Sequence, residues 1–104
     1  MKILIAGGNG QVGTDLSMIL SKNFFIYGSY RKKKPKLKKI RWLNIDFKNK
    51  IKTNIKPDII INCLATHEFS KKKNFIDYFN SNIISLLNIL EFAKEKNVKQ
   101  IINI

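Results

Sequence analysis

Apolar positions in the first half of the chain form short runs that predict strands alternating with a helix. Met1 to Ala6 is apolar and β-branched, which indicates a buried strand of a parallel sheet. Two more strands are predicted at Phe24–Tyr27 and Ile40–Ile45. After the first strand, apolar residues recur at the spacing of a helix, at Val12, Leu16, Ile19 and Leu20.

The second half of the chain alternates in the same way. Ile59–Ile61 is the strongest strand pattern, and Gln100–Ile104 predicts a last strand. Between them, Phe75–Lys96 is predicted to be a helix, and Asn97 is a suitable residue to end it. That helix has one apolar face, formed by Phe75, Phe79, Ile83, Leu86, Leu90 and Ala93.

The order of these elements defines the fold class. Arg31–Lys39 is predicted to be a basic loop, and Asp46–Ile55 a short irregular helix. The remaining order is strand, helix, strand, strand, strand, helix, strand, and crossover helices require parallel pairing with right-handed connections. We therefore expect one α/β domain over residues 1–104. It is a Rossmann-type parallel sheet in the order 3-2-1-4-5, with helices on both faces, truncated after the fifth strand.

A glycine-rich turn separates the first strand from the first helix, with the sequence GGNGQVG from Gly7 to Gly13. Gly7 allows a tight turn, Gly10 leaves room for a diphosphate against the backbone, and Gly13 lets the helix pack on the strand. The helix N-terminus offers N–H groups and a positive dipole end to the anion. The alternative is a purely structural turn. A P-loop is excluded because no Gly-Lys-Ser/Thr follows.

The opening segment, MKILIAGGNGQVG, resembles that of the extended short-chain dehydrogenases/reductases. This family contains the NAD(P)-dependent epimerases, dehydratases and reductases of sugar nucleotides. The Gly-x-x-Gly-x-x-Gly spacing is the family's own. The Gly-Gln-Val-Gly ending, which contains Gln11 and Val12, is similar to its dTDP-4-dehydrorhamnose reductase branch. The resemblance covers essentially the whole chain.

The resemblance implies further cofactor-binding positions outside the turn. Asp46 matches the family's acidic residue that hydrogen-bonds the adenine. Cys63, Leu64 and Ala65 follow the fourth strand, where the family has an Asn-Ala-Ala-Ala-type turn beside the diphosphate and ribose. Asn82 falls on the asparagine that begins the family's long-helix motif. Ser85 departs from that motif, which usually has Gly-Thr nearby.

The choice between NAD and NADP depends on the residues that follow the second strand. An acidic residue there accepts the ribose hydroxyls of NAD, whereas basic residues favour the 2′-phosphate of NADP. The stretch from Tyr27 to Lys33 contains no acid. Arg31 can offer a planar fork to a phosphate, and Ser29 can donate a hydrogen bond. We therefore favour NADP; the alternative is that Arg31 only begins a solvated loop.

The family's catalytic pair is not found in this sequence. The resemblance implies a Tyr-x-x-x-Lys pair on a helix beyond the fifth strand. Only Tyr30 has a lysine at that spacing, Lys34, and this pair lies in the basic loop. We therefore assign no catalytic residue and expect an N-terminal fragment of a sugar-nucleotide oxidoreductase, epimerase or dehydratase that is not catalytic alone. A nucleotide-sugar would bind if a second chain completed the fold. A non-catalytic dinucleotide sensor or subunit is the first alternative.

The net charge of +13 raises a second alternative, a basic nucleic-acid-binding protein on a Rossmann core. Lysine, asparagine and isoleucine are all abundant, and their codons are AT-rich. We favour a solvated basic surface that reflects this composition, which argues against nucleic acid as a partner.

Several expectations concern the protein's surroundings. No apolar run approaches the roughly 20 residues of a membrane helix, and a lone cysteine cannot form an internal disulfide, so a cytoplasmic protein without membrane contact is expected. His67 has no histidine or cysteine partner nearby, so no metal site is predicted. An uncovered apolar edge at the last strand favours self-association.

Overall fold

The computed structural model describes residues 1–64 and 75–104, which contain five strands and two helices. In chain order they are β1 Lys2–Ala6, α1 Gln11–Leu20, β2 Phe25–Tyr30, β3 Arg41–Asn44, β4 Ile59–Asn62, α2 Phe75–Glu95 and β5 Gln100–Asn103. The five strands form one sheet in the order β3-β2-β1-β4-β5. Every pair of neighbouring strands is parallel, which confirms the predicted Rossmann-type topology.

The two faces of the sheet bury separate apolar clusters, and each cluster includes residues of a different helix. On one face, Leu16 and Leu20 of α1 pack against a cluster that includes Ile5 and Ile26. On the other face, Ile89, Phe92 and Ala93 of α2 are buried with Leu4, Ala6 and Ile60. Alternate residues of β1 therefore contribute to opposite clusters, as expected for a strand with both faces buried. Helices on both faces are confirmed.

The predicted apolar faces of the helices are only partly correct. In α1, Gly13 and Ser17 are buried, whereas Val12 and Ile19 are exposed. Among the side chains of α2 that the structure describes, Ile89, Phe92 and Ala93 are buried, and four members of the predicted face are exposed: Phe75, Phe79, Ile83 and Leu90. In α2, apolar residues lie around most of the helix circumference, and in α1 the buried side is displaced from the apolar face toward Gly13 and Ser17. Spacing alone therefore does not determine which side faces the sheet.

Two predictions of local structure are wrong, one for the end of β2 and one for a helix at Asp46–Ile55. Strand β2 continues to Tyr30, because Gly28 and Ser29 pair with β3, and the absent side chain of Gly28 leaves room for the Trp42 ring. The segment Asp46–Ile55 contains no helix. Its apolar residues Phe47, Ile51 and Ile55 nevertheless enter the core cluster beside α2, so their four-residue spacing resembles that of a helix without being one.

The end of α2 agrees with the sequence prediction. The helix ends at Glu95, and Asn97 has a φ of 54°, in the left-handed region that asparagine tolerates. The Val98 N–H donates to the Ala93 carbonyl, 2.9 Å away, which closes the helix end. The chain then enters β5 directly beside β4.

Candidate functional site

The glycine turn lies at the carboxyl edge of the sheet, between β1 and α1. Gly7 has a φ of +78°, and its carbonyl accepts the Gly10 N–H at 3.1 Å. Gly10 is the N-cap of α1, and no side chain caps the helix there. The first backbone N–H groups of a helix have no partner within the helix, so at Gln11, Val12 and Gly13 they form a donor group with a positive dipole.

The three predicted glycines have different steric roles. A Cβ on Gly7 would lie 3.1 Å from the carbonyl carbon of Cys63, so this glycine lets the turn pack against the end of β4. A Cβ on Gly13 would overlap the Gly7 carbonyl oxygen and lie 2.8 Å from the Gly8 Cα. Gly13 therefore brings the helix against the turn itself, rather than against the strand as predicted.

Gly10 differs from both, because the fold itself does not require it to be glycine. A Cβ there would meet only the Gly7 carbonyl oxygen, at 3.5 Å, which is an ordinary contact distance. Its φ of −78° is accessible to any residue. The absent side chain thus leaves space outside the protein, in front of the helix N-terminus.

Gly8 and Ser29 support the turn in ways that sequence reasoning missed. A Cβ on Gly8 would lie 3.1 Å from the Gly28 Cα, so the turn also packs closely on β2. The Ser29 hydroxyl accepts the Gly7 N–H at 2.8 Å, and Ser29 is buried. Ser29 is therefore a structural support of the turn, and the suggested hydrogen bond from its hydroxyl to a ribose phosphate stays a prediction. Sequence reasoning missed this role because it predicted that β2 ends at Tyr27, whereas Ser29 belongs to the strand.

A cavity of about 350 Å³ opens at the glycine turn. It is lined by the predicted residues Gly7, Gly10, Gln11, Val12, Gly13, Cys63 and Leu64, together with Asn9. Two distant parts of the sequence, the β1–α1 turn and the end of β4, thus form one surface. Parallel pairing of β1 with β4 causes this, since it places Ala6 beside Asn62.

Arg31, Asp46 and Asn82 do not line this cavity. Arg31 follows β2 and is exposed at the same edge of the sheet. Asp46 follows β3 and is also exposed; its carboxylate accepts the Lys48 N–H at 3.0 Å. Asn82 lines a separate cavity of about 260 Å³ between α2 and the ends of β4 and β5. The predicted position Ala65 and the histidine at 67 lie outside the described residues.

Cys63 and Asn62 help to hold the backbone in place at the carboxyl edge of the sheet, and neither is suited to be a nucleophile. Burial raises the pKa of the Cys63 thiol, which keeps it protonated near neutral pH and makes it a poor nucleophile. The Asn62 side chain accepts the Leu64 N–H at 3.1 Å and donates to the Asn103 side-chain oxygen at 2.9 Å. These contacts fix the backbone after β4 where it borders the glycine turn.

Residues 1–64 and 75–104 contain neither a candidate membrane span nor a candidate metal cluster. No helix in those ranges is both long enough and apolar enough to cross a bilayer. No group of three or more histidine, cysteine, aspartate or glutamate residues in them could hold a metal ion.

The sequence model of the NAD dependent epimerase/dehydratase family matches residues 3–104. Among curated protein sequences, none matches the chain.

Solved structures share the fold at low sequence identity. A GalE-like L-threonine dehydrogenase from Cupriavidus necator has a TM-score of 0.79 at 20% identity and matches 97% of this chain and 35% of its own. A hypothetical dTDP-4-dehydrorhamnose reductase from Sulfolobus tokodaii has a TM-score of 0.76 at 21% identity, over 99% and 38%. The enzyme WbmG from Bordetella bronchiseptica, in complex with NAD and UDP, has a TM-score of 0.74 at 17% identity, over 97% and 36%. The chain therefore spans little more than a third of the length of these proteins.

Proposed function

We propose, on the premise that this chain belongs to the NAD dependent epimerase/dehydratase family, that its glycine turn binds the diphosphate of a nicotinamide dinucleotide. The diphosphate occupies the cavity bordered by Gly10, Cys63 and Leu64 and accepts hydrogen bonds from the N–H groups at the start of α1. WbmG, which shares the fold, was solved with NAD and UDP bound.

The observation that carries this proposal is the contrast among the glycines. Gly7 and Gly13 are explained by contacts within the protein, because a Cβ at either would press on backbone atoms. Gly10 has no such explanation, since a Cβ there would meet only one atom at an ordinary distance. A ligand that approaches the helix N-terminus closely supplies the missing reason for a glycine.

We propose further that NADP is preferred over NAD. Arg31 is exposed directly after β2, at the edge where the adenosine ribose would lie, and no acidic residue lies between Tyr27 and Lys33. A guanidinium can hold a phosphate through two parallel hydrogen bonds, which favours the 2′-phosphate over a hydroxyl. Asp46, exposed after β3, is proposed to accept a hydrogen bond from the adenine.

We also propose that the 104 residues supply the cofactor-binding part of a sugar-nucleotide oxidoreductase, epimerase or dehydratase and do not catalyse alone. Proton transfer needs a group of suitable pKa within hydrogen-bond reach of the reacting oxygen. The Tyr30–Lys34 pair begins at the end of β2 and continues into the basic loop, and it does not line the glycine-turn cavity. Assay of the purified chain with NADPH and nucleotide-sugar ketones should give no turnover.

The test of cofactor binding compares substitutions of increasing size at Gly10. Gly10→Val should abolish NADPH binding, followed by the change in nicotinamide fluorescence, and Gly10→Ala should weaken it less. Met18→Val is the matched control, because Met18 is exposed on the same helix and does not line the cavity. Circular dichroism should show the same helix content in all variants. Full NADPH affinity in a folded Gly10→Val variant would show that the cofactor does not bind at the glycine turn.

A further inference from the structure

Basic residues collect at the amino edge of the sheet, opposite the glycine turn. All five strands run parallel, so their first residues lie along one edge. Seven basic residues begin a strand or lie within three residues before one: Lys2, Lys22, Lys38, Lys39, Arg41, Lys56 and Lys99. The edge from β3 to β5 covers four interstrand spacings of about 4.8 Å, or about 19 Å.

A cavity of about 500 Å³ lies at this edge, on the same face of the sheet as α2. Lys2, Arg41 and Lys56 supply its cations, Thr53 and Asn54 add polar groups, and Tyr27 forms part of its apolar wall. It shares no lining residue with the cavity at the glycine turn. The two cavities are separated by the length of β1, about 16 Å.

The positive charge at this cavity is not neutralised by ion pairs within the described chain. In residues 1–64 and 75–104, the salt bridges join Lys50 to Glu91 and Glu95, at 3.6 Å each. The nearby acid is Asp58, whose carboxylate accepts the Lys2 N–H at 2.9 Å. The carboxyl ends of α1 and α2 also point toward this edge. Each contributes only about half a negative charge, so the two helix ends and Asp58 together do not balance the seven basic side chains at this edge.

An exposed aromatic ring lies next to the Tyr27 wall of this cavity. Phe25 is 49% exposed although it is part of a central strand, and it pairs in register with Lys2. Its ring centroid lies 5.0 Å from that of Tyr27, and the Arg41 guanidinium lies 6.0 Å from the Tyr27 centroid. Exposed rings next to guanidinium and ammonium groups are the elements that hold unpaired bases beside a phosphate backbone.

We propose that the amino edge of the sheet binds single-stranded nucleic acid. Phosphates contact Lys2, Arg41 and Lys56, and one base stacks on Phe25. An extended strand fits better than a free nucleotide, because the basic residues continue beyond the cavity to Lys99. Lysine abundance by itself predicts only a solvated surface. The placement of these cations around one cavity, with an exposed ring next to its Tyr27 wall, is what changes that interpretation.

The test compares two variants of the 104-residue chain that lose the same amount of charge. The site variant carries Lys2→Gln, Arg41→Gln and Lys56→Gln. The control carries Lys33→Gln, Lys34→Gln and Lys36→Gln in the exposed basic loop. Binding of a fluorescein-labelled oligouridine of about a dozen nucleotides is measured by anisotropy over a range of salt concentrations.

The site variant should bind at least tenfold more weakly at about 0.1 M salt. The slope of log affinity against log salt should fall by about 2, since each lost phosphate contact on a single strand removes about 0.7. The control should stay within about threefold of the native chain. Equal losses in both variants would mean that net charge alone attracts the RNA, and would overturn the proposal.

Two further measurements test the base stacking on Phe25 and distinguish an extended strand from a free nucleotide as the ligand. Phe25→Leu should weaken oligouridine binding roughly fivefold or more, with an unchanged salt slope, because stacking is lost and phosphate contacts remain. Free uridine monophosphate, at the same phosphate concentration, should not displace the oligomer. Displacement would assign the cavity to a free nucleotide and overturn the extended-strand proposal.

Photocrosslinking of the native chain does not depend on how any variant folds. An oligouridine containing 4-thiouridine should crosslink to the peptide that contains Phe25 and Tyr27. Crosslinks confined to the basic loop, residues 31–39, would overturn the proposal. NADPH affinity of the site variant should equal that of the native chain, because its substitutions lie at the opposite edge from the glycine turn.

Discussion

The two edges of the sheet present different kinds of surface. At the carboxyl edge, the glycine turn is built from backbone, and its properties depend on where side chains are absent. At the amino edge, the surface is built from side chains, with Lys2, Arg41 and Lys56 around a partly apolar cavity. The first surface depends on the space that the absent side chains leave, whereas the second depends on charge.

The two edges also differ in how their residues are distributed along the chain. Most of the glycine-turn cavity comes from the contiguous residues 7–13, with Cys63 and Leu64 added by the pairing of β1 with β4. The amino-edge cavity combines short segments from β1, β2, β3 and residues 53–56. A contiguous motif can be recognised before the fold is known, and an assembled surface cannot.

The sharpest test of the carboxyl edge compares two glycines of one turn. Gly13→Ala should lower the free energy of unfolding by about 3 kcal/mol, because the new methyl group presses on the backbone of Gly7 and Gly8. Gly10→Ala should cost about 1 kcal/mol or less, since alanine is only a poorer N-cap. Urea denaturation followed by Trp42 fluorescence measures both. Similar losses at the two positions would contradict the assignment of Gly13 to the fold and Gly10 to the ligand.

At the same edge, Arg31 should determine the choice of cofactor. Arg31→Glu should weaken NADPH roughly ten- to a hundredfold more than NADH, because a charge-assisted contact is worth about 1.5–3 kcal/mol. Lys32→Glu is the control for a general change of charge, as Lys32 is the exposed neighbour. Isothermal titration of both cofactors gives the comparison. A loss of equal size for NADH and NADPH would mean that Arg31 does not contact the 2′-phosphate.

Ser29 tests whether the turn depends on β2 as well as on its own glycines. Ser29→Ala should lower the free energy of unfolding by about 1–3 kcal/mol, because the Gly7 N–H loses its acceptor in a part-buried position. Ser21→Ala is the control, since its hydroxyl is exposed and donates to the Met18 carbonyl. Thermal unfolding of the two variants should separate them by several degrees. Equal melting temperatures would show that the turn does not need this hydrogen bond.

The topology and the glycine turn could be predicted from sequence because each depends on local patterns. Short segments are enough to recognise the apolar strand runs and the spacing of Gly7, Gly10 and Gly13. Parallel pairing then follows from the crossover helices. The exposure of Phe79 and Leu90 could not be predicted, because α2 is apolar on more than one side. Which side faces the sheet depends on residues far away in sequence.

The support from Ser29 was hidden for a related reason. Gly28 and Ser29 look like a turn in sequence, and only their pairing with Trp42 and Leu43 makes them strand. The segment after β3 shows the opposite error, because helical spacing predicts a helix that is not there. Its apolar residues are Phe47, Ile51 and Ile55. In both cases tertiary contacts decide between two locally acceptable structures.

Asp58 provides the test of the amino edge, with the smallest expected effect. Its carboxylate accepts the Lys2 N–H, and its backbone N–H and carbonyl bond to Lys2 and Lys99 at the starts of β1 and β5. That hydrogen bond from the Lys2 N–H, with the charges of Lys99, the N-terminus and Lys2, holds the pKa of Asp58 below its ordinary value. The ionised form is therefore favoured by folding. Its contribution to stability is present above about pH 4 and is lost as the pH falls through the lowered pKa of the folded state.

Asp58→Asn should consequently reduce stability slightly at pH 7, and the difference from the native chain should vanish once the pH lies below the lowered pKa of Asp58, where both side chains are neutral. Chemical denaturation at several pH values follows this difference. A gap that persisted at low pH would attribute the loss to packing rather than to charge. The same substitution removes the acid beside Lys2 and Lys99, so oligouridine should bind more tightly at the amino edge. NADPH affinity at the carboxyl edge should not change, because at physiological salt two charges about 16 Å apart are largely screened from each other.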